Sequence, residues 1–301
     1  MNNARVFHVA IRPGRYYNEE KNGTIICMIK GVLCSSGALI TRLNGRDPKK
    51  LRVLFPYSAA DGLEFMIYPA WDGRLDEVAE IVSAFSRETG VKIPVIHADK
   101  HIGELLSQGA PEEIEEAFLR FRLGCRVAEK LGASLMVLHL WGGPASDRNI
   151  GRNISALGEL TEEAARHGVL LTVENVVCGG KTPLAHIRTI IERYPDAAFT
   201  VDTKMAEFHR ELPETVACEE LWKRTKHLHV NDYGGGVRDF SDLRVLHIGE
   251  GHVDFEPFFN KVRSSGYDGW ATVEATSVLP DGSVDQGKLE RSLNAVRKAL
   301  K

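Results

Sequence analysis

The chain has 301 residues, 43% hydrophobic and 26% charged, with 38 Lys and Arg against 41 Asp and Glu for a formal net charge of −3. That balance belongs to a globular protein with a large core, and it excludes a disordered chain, a collagen-like fibre and a strongly basic nucleic-acid binder. The five cysteines, Cys27, Cys34, Cys125, Cys178 and Cys218, are scattered without a Cys-x-x-Cys pair, which suits a reducing compartment and argues against a disulfide framework or a cysteine zinc site.

Residues 1–13 carry neither a basic leader nor a long apolar run, so no signal peptide is read and the cytoplasm is the expected location. A first strand is predicted over 6–11. The stretch 18–60 is too long for one barrel helix and has turn signals at Asn22-Gly23 and between Asn44 and Pro48. It is read as an elaborated first βα connection lying over the barrel mouth. Within it, residues 24–33 come nearest to a membrane span, but they are too few and Lys30 interrupts them.

Further strands are predicted over 63–68, 93–98, 135–139, 170–175, 199–202, 227–231 and 270–275. Several are continuous apolar runs, as expected for parallel strands covered on both faces. Helical periodicity fills the intervals. Leu75, Val78, Ala79, Val82 and Phe85 share one face, as do Ile114, Ala117, Phe118, Phe121, Cys125, Ala128 and Leu131. Pro111 and Gly132 bracket the second of these helices with the expected asymmetry. Asp254 and Gly266 read as the caps of a helix after Val253, and Leu289, Leu293, Val296 and Leu300 as the buried face of the last one.

Eight strands alternating with helices predict one (β/α)8 barrel domain over 1–301. An open doubly wound sheet is the alternative, but no Gly-x-Gly-x-x-Gly follows an early strand. In such a barrel the downstream strand ends converge on one face. His97, His139, Glu174, Asp202, His229, Asp232 and Glu274 all sit at or just past such ends. An ionised carboxylate after three apolar residues is costly unless something pairs with it. Two Glu, one Asp and one His make a mixed oxygen and nitrogen donor set that suits one divalent ion, Mn2+ first, with Zn2+, Co2+ or Mg2+ as alternatives.

The segment from Leu246 through Gly249-Glu250-Gly251 to Phe259, followed by Gly266 to Trp270 and then Val273-Glu274, resembles the xylose isomerase-like TIM-barrel superfamily of sugar isomerases and epimerases, inosose dehydratases and endonuclease IV. The resemblance implies Glu174, Asp202, His229 and Glu274 as metal ligands. It further implies Glu174 and Glu274 as the acid/base pair on opposite faces of a small sugar or polyol. Removing a proton next to a carbonyl through a metal-stabilised enediolate would isomerise or epimerise a ketose.

Many members have Asp-x-x-His after strand six, where this chain has Met205 in the histidine's place. A thioether is a poor ligand for hard cations, which argues against a second metal there, with His209 one turn on as a substitute. Leu243 and Val245 stand where endonuclease IV carries an Asp-x-His zinc pair, and the net charge supplies no phosphate-binding surface; both argue against DNA repair. His97, His139, Trp141, Lys204, Asp232 and Arg244 are expected to contact substrate. Trp141 could equally be packing, and Arg238 and Arg244 solvated loop residues. An inosose-type dehydratase on the same site and a non-catalytic sugar-binding barrel are the alternative functions, and a homo-oligomer is a family-level expectation.

Overall fold

A computed structural model describes residues 29–142 and 146–301. Eight parallel strands close a barrel in simple chain order: β1 Gly31–Ser35, β2 Gly62–Met66, β3 Val95–His97, β4 Leu135–Leu138, β5 Leu170–Glu174, β6 Ala198–Asp202, β7 Thr225–His229 and β8 Trp270–Val273. Closure is made by β1 pairing with β8, Val32 against Ala271 and Leu33 against Thr272.

The predicted strand at 6–11 lies outside the described residues. The first strand of the barrel is instead β1, inside the stretch assigned to a connection. Its five residues are nearly all buried, and Gly31 has φ 150° with Asp61 and Trp270 where a Cβ would sit. The connection proper is 36–61, made of three short 3-10 turns and the four-residue helix α1, Leu51–Leu54. It does lie over the mouth, because Gly37 and Thr41 line the cavity there.

Next come α2, Leu75–Thr89, α3, His101–Gln108, α4, Pro111–Leu131, and α5, Ile150–Arg166. After β5 follow α6, Pro183–Arg193, α7, Thr203–Phe208, α8, Leu212–Ala217, and α9, Glu219–Trp222. The chain closes with α10, Phe255–Ser264, and α11, Gln286–Ala299. The helix faces form as the periodicity predicts. Val78, Ala79, Val82 and Phe85 are buried on α2, and Ala117, Phe121, Cys125 and Ala128 on α4. Gly132 ends α4 at φ 71°, a left-handed cap that only glycine adopts without strain. Asp254 caps α10 by accepting from the Glu256 N–H at 3.2 Å. Among the described residues no helix is long and apolar enough to cross a membrane.

Side chains alternate across each strand. Outward residues such as Phe65, Ile96, Leu138, Val173, Val201 and Leu228 pack with the helices in the main core. Inside the barrel, Leu33, Val95, Leu135 and Val137 form a small apolar plug with Trp270 packed against it. Above that plug the interior is polar. Thr172 and Thr200 share a hydrogen bond of 2.8 Å, and Glu64, His227 and Thr272 meet in another buried group. The barrel therefore grades from apolar at its base to ionisable at its mouth.

Candidate metal centre at the barrel mouth

Glu174 is the last residue of β5, Asp202 of β6 and His229 of β7, and Glu274 directly follows β8. One ligand atom from each lies within 4.8 Å of the others. His229 Nδ1 stands 3.1 Å from Glu174 Oε1 and 3.3 Å from Glu274 Oε2. The first three side chains are at most 1% exposed.

Two asparagines hold this set by the same device. Asn175 accepts the Asp202 N–H on Oδ1 at 2.6 Å and donates from Nδ2 to the Asp202 carbonyl at 3.0 Å. Asn231 accepts the Glu274 N–H at 3.0 Å and donates to Glu274 Oε2 and Asp202 Oδ2 at 2.9 and 3.2 Å. Each amide thus ties one strand end to the ligand on the next. Asp202 Oδ1 also accepts the N–H groups of Lys204 and Met205, capping α7.

Glu64, which the sequence reading passed over, is fully buried on β2 and faces two histidines of β7. It lies 2.8 Å from His227 Nε2 and 3.1 Å from His229 Nε2, and accepts from Thr272 Oγ1 at 2.6 Å. A lone acid within the apolar segment 63–68 was the available signal.

The electrostatics follow from packing so many charges in one dry volume. Burial pushes the Asp202 carboxyl up to about 7, and neighbouring Glu174 and Glu274 add to this against the pull of Lys204. For Glu174, burial again raises, but His139 and His229 outweigh it and hold the carboxyl well below its usual range. Glu64 is likewise held low, by His229 and His227 against burial. His229 is raised well above its ordinary value, because Glu274, Glu64 and Glu174 together overcome the burial that would keep it neutral. Burial brings His139 down to about 4 and lowers His227 as well. The cluster therefore sets several acidic side chains round one imidazole whose hold on its proton they strengthen.

A divalent cation fits this donor set. A buried carboxylate excess costs several kcal/mol per uncompensated charge. Glu174, Asp202, His229 and Glu274 are the residues that would hold the ion.

Other predicted contacts fall differently. A cavity of about 520 Å³ opens above the cluster, lined by Glu174, Glu274, Lys204, Met205, Tyr68 and Arg244 among others. Lys204 is 4% exposed there, while the Arg244 side chain is 75% exposed and paired with Asp242 at 2.7 Å. His97 and His139 stand behind Glu174, their Nε2 atoms 3.4 and 2.7 Å from its Oε2, so they brace the glutamate rather than line the cavity.

Trp141 is not placed to stack on a sugar. It is fully buried, its Nε1 donates to the Val176 carbonyl at 2.8 Å, and its ring packs edge-on against His186. Asp232 also turns away from the cavity. Its oxygens accept the N–H groups of Tyr233, Gly249, Gly251 and Val253 at 2.8–3.0 Å, which makes it the anchor of the Gly249-Glu250-Gly251 turn. His209 does not replace the missing histidine at the mouth, since its Nε2 accepts the Cys178 N–H at 3.1 Å.

Residues 58–298 match the family described as xylose isomerase-like TIM barrel. No curated protein matches the chain in sequence. Among solved structures, D-allulose 3-epimerase from Methylomonas sp. superposes with a TM-score of 0.69 at 16% identity, over 92% of this chain and 98% of that one. The 3-keto-D-glucoside 4-epimerase of E. coli gives 0.64 at 17% identity, over 89% and 98%. The IOLI protein with a bound zinc atom gives 0.66 at 15% identity, over 90% and 98%. At such identities the likeness is one of fold.

Proposed function

We propose that this chain, which belongs to the xylose isomerase-like TIM barrel family, is a divalent-metal-dependent isomerase or epimerase of a small sugar or polyol. The observation that carries this reading is the convergence of Glu174, Asp202, His229 and Glu274 beneath a 520 Å³ cavity. Two neighbours in fold that are sugar epimerases support it.

When bound, the ion would supply positive charge to a substrate's carbonyl and adjacent hydroxyl, favouring loss of the proton between them. The protein does the rest. Glu174 and Glu274 come from β5 and β8, bracket His229 and both reach the cavity, so one carboxylate can take the proton and the other return it. Such transfer contributes about 10²–10⁴-fold in rate. His97 and His139 brace Glu174, and Asn231 holds Glu274, so neither carboxylate is free to swing. In this reading Lys204, buried at the rim, meets a substrate oxygen or an anionic group, and Arg244, paired with Asp242, adds positive charge from the solvent side. Mn2+ is the ion assigned first, with Zn2+, Co2+ or Mg2+ as alternatives.

The test is hydrogen exchange. Protein loaded with Mn2+ is incubated in D2O with a panel of ketoses, and deuterium is sought on the carbon next to the carbonyl. Exchange that Glu174→Gln and Glu274→Gln abolish supports the reading. Metal-loaded protein that exchanges no ketose proton would overturn it, and a dehydrated product would move the chain to the lyase alternative.

A further inference from the structure

A second group of ligating side chains lies beside the barrel mouth and shares no residue with it. It comprises Asp147, in the 3-10 turn 146–149, Cys178, in the loop after β5, and His186, on α6. One ligand atom from each lies within 4.8 Å of the other two, and all three residues are buried. We propose that this group is a zinc site, with Asp147, Cys178 and His186 as three protein ligands and a fourth position left for water.

The hydrogen bonding shows the group aimed at something absent from the protein's own polar atoms. Asp147 Oδ2 accepts the N–H groups of Gly180 and Lys181 at 2.8 and 3.4 Å, which orients the carboxylate. Among the described residues its Oδ1 is buried and unpartnered, and so is His186 Nε2. His186 is 2% exposed. Its Nε2 stands 3.6 Å from Asp147 Oδ2, beyond a hydrogen bond but close to the spacing of two ligands round one ion. Zinc bonds of about 2.0–2.1 Å at the tetrahedral angle put an oxygen and a nitrogen about 3.3 Å apart. Cys178 is a free cysteine, whose thiol donates to the Val176 carbonyl at 3.3 Å and also meets the Trp141 side chain.

The surroundings fix these ligands in place. His209 Nε2 accepts the Cys178 N–H, Trp141 covers the His186 ring at 5.2 Å between centroids, and Arg238 donates to the Gly179 carbonyl. A donor set of one sulfur, one nitrogen and one oxygen suits borderline-soft Zn2+ better than Mg2+ or Ca2+. Coordination replaces the Cys178 thiol proton, which leaves to solvent. The scattered cysteines argue against a cysteine zinc site, and this site departs from that reading, because one cysteine joins an aspartate and a histidine drawn from a turn, a loop and a helix.

This inference does not rest on the proposed isomerase activity, and cobalt separates the two. The mouth cluster has no cysteine, so a thiolate-to-cobalt charge-transfer band in the near ultraviolet can come only from a cysteine site. The metal-free 301-residue chain titrated with Co2+ is expected to bind two ions and to develop this band, which Zn2+ then bleaches. Cys178→Ser is expected to lose the band and one ion. His229→Ala is expected to lose the other ion and keep the band. If serine is not tolerated at 178, wild type and His229→Ala alone carry the test. No thiolate band in wild type, or a band that survives in Cys178→Ser, would overturn the proposal. A wild type that binds a single ion with the thiolate band, unchanged in His229→Ala, would support this site and count against the one at the mouth.

Discussion

Glu64 and His229 meet across the barrel interior, from β2 and β7, with Glu64 Oε1 and Oε2 at 3.1 and 3.3 Å from His229 Nε2. That contact occupies one ring nitrogen and leaves Nδ1 facing Glu174 and Glu274. A carboxylate on the far nitrogen fixes the ring's orientation and raises its basicity as a ligand.

Replacing this carboxylate is therefore expected to act on the metal without removing a ligand. Glu64→Gln should weaken divalent-ion affinity about 10–100-fold, the usual range for such supporting contacts. Competition titration with a chromophoric chelator measures it, with circular dichroism as the check on folding. Unchanged affinity in a folded variant would mean that Glu64 does not orient His229.

The mouth should bind its ion more tightly as pH rises past neutrality. Burial first, then Glu174 and Glu274, hold Asp202 up to about 7, and His229 lies well above its ordinary value. A ligand must shed its proton to bind a metal. Calorimetry in buffers of different ionisation enthalpy is expected to show proton release that grows as pH falls. Without metal the same shifts act on folding. Against the opposite contribution of His139, brought down to about 4, the unfolded Asp202, with its ordinary value of 3.8, ionises before the folded one, so its own share of the stability falls as pH rises from there to about 7. His229 has the same sign, because its stabilisation is present below its unfolded value and lost as pH climbs through the folded one. Adding Mn2+ should flatten this decline in thermal melts, and a decline unaltered by metal would count against it.

Asn231 touches two ligands at once. Asn231→Ala removes the acceptor of the Glu274 N–H and the donor to both Asp202 and Glu274. Leaving buried groups unsatisfied costs about 1–3 kcal/mol, so urea unfolding should shift by that amount. The metal should bind more weakly in parallel, since both ligands lose a restraint. An unfolding midpoint equal to wild type would show that the amide carries no such load.

Gly103 on α3 packs directly against the end of β4. A Cβ there would stand 2.5 Å from the His139 carbonyl oxygen and 2.7 Å from the Trp141 nitrogen, both of them backbone. Asn153 clamps the same junction by donating to the carbonyls of Gly103 and Leu140 at 2.7 Å each. Gly103→Ala is thus expected to cost about 1–3 kcal/mol through overpacking, read as a lower melting temperature. A variant as stable as wild type would mean the helix can slide off the strand end.

The barrel and the convergence of acidic and imidazole residues at its mouth were legible in the sequence for one reason. A parallel strand is apolar through its length, so a carboxylate or imidazole at its downstream end stands out, as at Glu174, Asp202 and His229. Closing the barrel turns that one-dimensional regularity into a common site. Helix faces with a 3.6 period, such as Val78 to Phe85, were readable because burial itself imposes the period.

What tertiary structure alone decided is where side chains point and what meets them across the barrel. β1 is short and embedded in turn-rich sequence, so its place came from pairing with β8 and not from its own pattern. Glu64 looked like an acid stranded in an apolar strand until β7 brought two histidines to it. Trp141 and Asp232 share the mouth's neighbourhood in sequence, yet packing buries one ring and the loop amides claim the other's oxygens. Asp147, Cys178 and His186 become neighbours only through the loops after β4 and β5 and the start of α6. Periodicity records which face of an element is buried; partners drawn from distant elements are fixed only when the chain closes.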